Sequence, residues 1–174
     1  CIFLVKTPTL DFENNNVKQA LRLENDVTIS NANEFRTLRL NGFSATLASG
    51  SSITLETLVG EGTLVVAAKT TIQNIISGDK LSLVVHEALT LPQVTVIGAI
   101  EVDAETPIDI SELESLMITT LTIPSSARTP LTVFSSTNSD VERQLTIGTC
   151  TIDAESAVLI NSGWSLTIMT LRGK

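Results

Sequence analysis

A short couplet, two branched apolar residues flanking one that is polar in every copy but Val65, returns about every twenty positions along this chain. It occurs at Leu21/Leu23, Leu38/Leu40, Leu64/Val66, Leu81/Leu83, Ile100/Val102, Leu121/Ile123, Leu145/Ile147 and Leu166/Ile168. The steps between couplets are 17, 26, 17, 19, 21, 24 and 21 residues. Alternation with a period of two turns one face of a strand inward. Recurrence at a fixed, longer period marks stacked repeats. The pattern therefore predicts short strands wound into coils.

The alternation also slips phase inside single stretches. Leu38 and Leu40 give way to Phe43, Ala45 and Leu47, and Ile118 gives way to Leu121 and Ile123. A strand that keeps one face buried keeps its parity, so a slip of one residue marks a bend or bulge. Two or three short strands per coil around a filled interior produce that signature. The expected architecture is all-β: a parallel β-helix (β-solenoid) of about eight coils.

The alternative is an antiparallel β-sandwich, whose short strands also recur closely. Asn41-Gly42 is a favourable hairpin dipeptide and supports it. A sandwich built from seven hairpins calls for several such dipeptides, and this is the only one. A leucine-rich repeat is echoed faintly at Phe35-x-x-Leu38-x-Leu40 but lacks the fuller consensus.

Residues 1–16 read as a lead-in: a strand at Ile2–Val5, a break at Thr7-Pro8, and a turn at Asn14-Asn15-Asn16. Residues 17–174 read as the solenoid segment, part of a longer chain or assembly. The stretch from Asp103 to Glu112 reads as a protruding loop or short helix, with Ser111 and Glu114 forming a weak capping box. Residues 135–143 read as a second interruption. Both suit insertions on a coil.

Composition agrees with strands. Ser and Thr supply about a quarter of the chain, and Val with Ile about thirty residues. Aromatics are 3%, with no Tyr and one Trp, Trp164, read as a core or terminal-cap residue. Slender aliphatics suit close stacking. Hydrophobic content of 43% argues against disorder, and no apolar run is long enough for a membrane span. The net charge of −8 argues against nucleic-acid binding. Two cysteines make no disulfide scaffold. Seven coils at about 4.8 Å separate Cys1 from Cys150 by some 30 Å, beyond the ~7 Å reach of a disulfide. Residue 1 is Cys, with no Met or leader before it, which reads as a segment boundary, a lipidated N-terminus being the other reading.

Candidate chemistry is sparse. His86 is the only histidine and reads as a surface residue after the Leu81–Val85 strand. Glu101, Asp103, Glu105, Asp109, Glu112 and Glu114 form an acidic group. Within it Asp103, Glu105 and Asp109 are the candidate calcium ligands, since carboxylate oxygens suit that ion, although no calcium-loop spacing is present. Paired carboxylates here would also suit glycoside cleavage. The bland reading is a solvated loop, so no catalytic residue, metal or cofactor is assigned. Lys18, Arg22, Arg36 and Arg39 lie in the first third, opposite in sign to this group. They read as solvating charges, or as a means of steering contact between like subunits. Gly60-Glu61-Gly62 is a turn without a phosphate-binding context.

Segments such as Leu145-Thr146-Ile147-Gly148-Thr149 and Val94-Thr95-Val96-Ile97-Gly98-Ala99 resemble the parallel β-helix superfamily. That group includes passenger domains of bacterial surface adhesins and the pectin-lyase-like proteins. The likeness covers roughly residues 17–171 and rests on pattern. It implies an extracellular or cell-surface structural segment, either a rigid spacer, an adhesive shaft or a polymer-forming unit, whose partners are flanking repeats or further copies. The alternatives are a glycan-acting β-helix enzyme using the 101–114 carboxylates and a β-sandwich binding module. Scarce aromatics leave glycan binding weakly supported.

Overall fold

A computed structural model describes residues 1–48, 52–103, 105, 107–127, 132–136, 142–155, 157–160 and 163–173. Every strand ladder among them is parallel. The chain is a β-solenoid of about eight coils, and the sandwich alternative is set aside. Cys1 and Cys150 are both free thiols.

Each coil has three sides, here A, B and C, visited in that order. The first strands are β1 (Ile2–Val5), β2 (Thr9–Leu23) and β3 (Val27–Arg39). The next are β4 (Ser44–Leu47), β5 (Ile53–Val59), β6 (Gly62–Val66) and β7 (Thr70–Ile76). A 3₁₀ turn, Gly78–Lys80, precedes β8 (Leu81–Val85) and β9 (Leu89–Thr90). Then come β10 (Val96–Val102), β11 (Ile108–Asp109), β12 (Ser115–Ile123) and β13 (Thr132–Ser135). The last are β14 (Arg143–Ile152), β15 (Val158–Ile160) and β16 (Trp164–Gly173).

Side A stacks the first residues of β2 and β3 with β4, β6 and β8, followed by the later halves of β10, β12, β14 and β16. Side B stacks the middle of β2 and β3, the start of β5 and β7, then β9, β11, β13 and β15. Side C begins at β1, whose residues pair with Ala20–Leu23, so the expected lead-in strand is joined to the sheet. Asn14 and the preceding Glu13 adopt positive φ at the A–B corner inside β2. Two donors, the Glu13 amide at 2.9 Å and Asn31 Nδ2 at 3.0 Å, hold the Asp11 carboxyl below the usual carboxylate range.

The register explains the uneven couplet spacing. On side A, register partners such as Leu64 and Leu83, or Leu83 and Ile100, lie 17 to 21 residues apart, whereas Leu121 and its partner Cys150 lie 29 apart. The long coil contains the expected second interruption, of which residues 137–141 lie outside the described residues. Leu21 and Leu38 belong to side C, Leu64 through Leu121 to side A, and Leu145 and Leu166 to side C again. The 26- and 24-residue steps are changes of side.

Asn41-Gly42 is a corner between sides C and A, not a hairpin. Both residues have positive φ, 53° and 86°, which Asn and Gly tolerate best. Asn41 Nδ2 donates to the Leu23 carbonyl of the preceding coil at 3.0 Å. From β10 onward the C–A corner shrinks to one residue, Gly98, Thr119, Gly148 and Met169 in succession, skipped by the ladder. A Cβ on Gly148 would stand 2.6 Å from the Thr119 carbonyl oxygen, so the stack demands glycine there.

Inward positions build one core. Ile29, Leu47, Val66, Val85, Val102 and Ile123 are fully buried in a column on side A, and Phe35, Leu55 and Ile72 on side B. Outward positions on side A are largely hydroxyls, as in the Thr120–Thr149–Thr170 and Thr122–Thr151 columns. Cross-strand Thr pairs stabilise a sheet modestly, which accounts for the Ser/Thr content.

Replacing Leu83, 1% exposed, by Ala is expected to cost about 2–5 kcal/mol in urea unfolding. Ser82→Ala, one position along and outward-facing, is expected to stay within about 0.5 kcal/mol. Equal effects would contradict the inward–outward assignment.

Candidate functional site

The acidic group does not converge. Glu101 is exposed on side A, and Asp109 lies on side B. Glu112 and Glu114 are exposed at the B–C corner, and Glu105 is exposed beyond Asp103. No group of three or more His, Cys, Asp or Glu able to hold a metal ion occurs among the described residues, and Asp103, Glu105 and Asp109 form none. The stretch is not a helix or a free-standing loop: Ile108 and Ile110 are fully buried and Ile108–Asp109 is a strand of side B. Its Pro- and acid-rich composition concealed two core residues. Ala104 and Thr106 lie outside the described residues.

The carboxylates have local tasks instead. Asp109 Oδ1 accepts the Ser111 amide at 2.9 Å and shapes the turn after β11. Asp103 Oδ1 meets His86 Nδ1 at 2.5 Å across neighbouring coils. The His86 and Asp103 side chains are 42% and 27% exposed, so this contact is a surface latch contributing at most about 1 kcal/mol.

The basic residues do come together. Arg22 and Arg39 are register partners on side C, and Lys18 and Arg36 sit beside them at the B–C corner. All four are exposed. Lys18, Arg36 and Arg39 line a shallow groove of about 470 Å³ with Cys1, Ile2 and Thr37. Parallel in-register stacking brings like charges within a strand spacing, an arrangement that repels unless something anionic covers it.

Further along the same corner lies a second groove of about 610 Å³, which the sequence alone did not reveal. Glu56, Gln73, Asn74, Gln93 and Glu112 line it together with Thr57, Thr71 and Thr90. Asn74 pairs in register with Thr57, and Thr90 with Thr71. The coil period applied to outward positions, as it was to inward ones, is the signal that joins them. The lining is amide, hydroxyl and carboxylate, suited to hydrogen bonding with a polar surface.

Arg143 is the buried exception among the cations of the described residues, 7% exposed. Its Nη1 donates to the Ser111 carbonyl of the coil below. Its guanidinium lies 5.9 Å from the centroid of the Trp164 ring on the coil above, a favourable cation–π arrangement. Arg143 thus staples three coils, and Trp164 packs partly buried against the core.

Compared with known protein families, curated proteins and solved structures, the chain matches none of them. Its class is set by its own geometry, a three-sided parallel β-solenoid.

Cys150 is wholly buried in the side A column, and burial pushes its thiol above the ordinary value of 9.0. The native state therefore keeps its proton at a pH where the unfolded chain releases it. Stability contributed by this group is intact below that ordinary value and declines as pH rises above it. Cys150→Val is expected to flatten that decline in denaturant titrations at successive pH values. An unchanged pH slope would dissociate it from Cys150.

Proposed function

We propose that the chain is a structural or adhesive β-solenoid segment acting outside the cell as a rigid spacer or polymer-forming unit. The observation that carries this reading is the unbroken stack: all strands hydrogen-bond into one network around one core along a single axis. Bending such a stack requires opening ladders and core together, which gives it stiffness.

The terminal coils support the same reading. Ile2, Phe3 and Leu4 are 50–53% exposed at one end, and Val158, Met169 and Leu171 are 51–67% exposed at the other. Among the described residues β1 pairs only with β2, and β16 only with β14, so both present open strand edges. Apolar side chains beside an open edge suit continuation by further coils or by another copy. The surface offers hydroxyls and few aromatics, as befits a shaft. The glycan-cleaving alternative has less support, because the 101–114 carboxylates point around the coil instead of facing one another across a cleft.

Negative-stain microscopy is the direct test. Rods near 40 Å long, as eight coils at about 4.8 Å dictate, are expected, lengthening in whole multiples as concentration rises. Compact particles that never extend would overturn the axial reading.

A further inference from the structure

The B–C corner carries its charge unevenly. Lys18 and Arg36 occupy it on the second and third coils, flanked by Arg22 and Arg39 on side C. Glu112, Glu114 and Glu142 occupy it on the seventh and eighth coils, all exposed. Between them lie Glu56 and the uncharged Gln73 and Gln93. Among the described residues, the Lys6–Glu24 ion pair and the His86–Asp103 contact involve none of these charges. Arg36 and Glu56 share the corner on successive coils without closing to ion-pair distance.

The two clusters cannot neutralise each other within one molecule. Five coils at about 4.8 Å separate them by roughly 24 Å. At physiological ionic strength the screening length is about 8 Å. An elongated body with a basic patch near one end of an edge and an acidic patch near the other is complementary to a reversed copy of itself.

We propose that two copies of this chain pair side by side and antiparallel along the B–C corner. Lys18 and Arg36 of each would face Glu112, Glu114 and Glu142 of the other. Such a contact is isologous, with the same patch on both partners and each ion pair made twice. The two-fold axis falls near the fifth coil, where Gln73 meets its counterpart and the polar groove closes around amides and hydroxyls. Glu56 then faces the neighbourhood of Gln93, an uncharged amide. A strip one corner wide and roughly 40 Å long falls below a standard interface in area. Charge therefore sets orientation and encounter rate, and the pairing is weak and salt-sensitive. This pairing is lateral and does not rest on the axial continuation proposed above.

Sedimentation of the whole chain over a concentration series tests it, at salt of about 0.1 M and about 1 M, where screening lengths are about 10 Å and 3 Å. A dimer at the lower salt that dissociates at the higher is expected. Lys18→Glu with Arg36→Glu, and separately Glu112→Lys with Glu114→Lys and Glu142→Lys, should each weaken self-association at least about tenfold. An equimolar mixture of the two variants should restore the dimer, since both reversed contacts become attractive. All five positions are exposed, and circular dichroism checks that the variants keep the fold. Microscopy separates the two assemblies: lateral pairing doubles width, and axial continuation extends length. A wild-type chain that stays monomeric at the lower salt overturns the proposal. A salt-insensitive dimer, or a mixture that fails to recover association, does so equally. Loss of pairing in the basic variant alone, with the acidic variant unaffected, would assign the basic cluster to some other anion and also overturn it.

Discussion

Every coil must present the same cross-section to the coils above and below it, and most of this sequence answers to that requirement. Parallel ladders lock neighbours at a fixed spacing, so an inward side chain meets its counterpart one coil away almost end-on. Branched aliphatics of similar girth satisfy this column after column, and large aromatics do so only where a side is wide enough. Phe35 and Phe134 are fully buried on side B, and no aromatic occupies the side A column. Scarcity of aromatics is thus a packing consequence as much as a statement about ligands.

Stacking in register has a second effect, on charge. A column of outward positions repeats chemistry at close range, so hydroxyls reinforce one another while like charges accumulate strain. The Thr columns of side A and the Arg22–Arg39 pair are the two outcomes. The chain limits the cost by confining most charges to corners, where the backbone diverges and water reaches them. Arg143 escapes by turning inward to a carbonyl and an indole ring.

The couplets made the coil legible because burial imposes a period that polar surface noise cannot hide. Assignment to sides was not legible. Side A and side C couplets look alike, and only the hydrogen-bond register separates Leu38 from Leu64. Phase slips located corners such as Asn41-Gly42, although the same dipeptide also suits a hairpin. The 103–112 stretch misled because Pro and four acids outweigh two isoleucines in any local reading, whereas burial of Ile108 and Ile110 depends on coils far away in sequence. The corner grooves were hidden for a related reason: their members lie about one coil apart and carry no shared residue type. The inward course of Arg143 had no local signal, since its partners Ser111 and Trp164 belong to other coils.

The 3₁₀ turn at Gly78–Lys80 divides the solenoid into two grammars. Before it, side C joins side A through corners of several residues; after it, through single-residue kinks. Gly78 lies against the Val96 carbonyl with no room for a side chain, and among the described residues no ladder joins β7 to β10 there. The fifth and sixth coils are consequently joined by ladders on sides A and B alone, with the 3₁₀ turn packed against β10 on side C. In a stacked array, cooperativity passes only between nearest neighbours, and a joint short of one ladder passes less of it. Disorder spreading from either end meets a natural stopping place at that joint, leaving the other half folded as a unit.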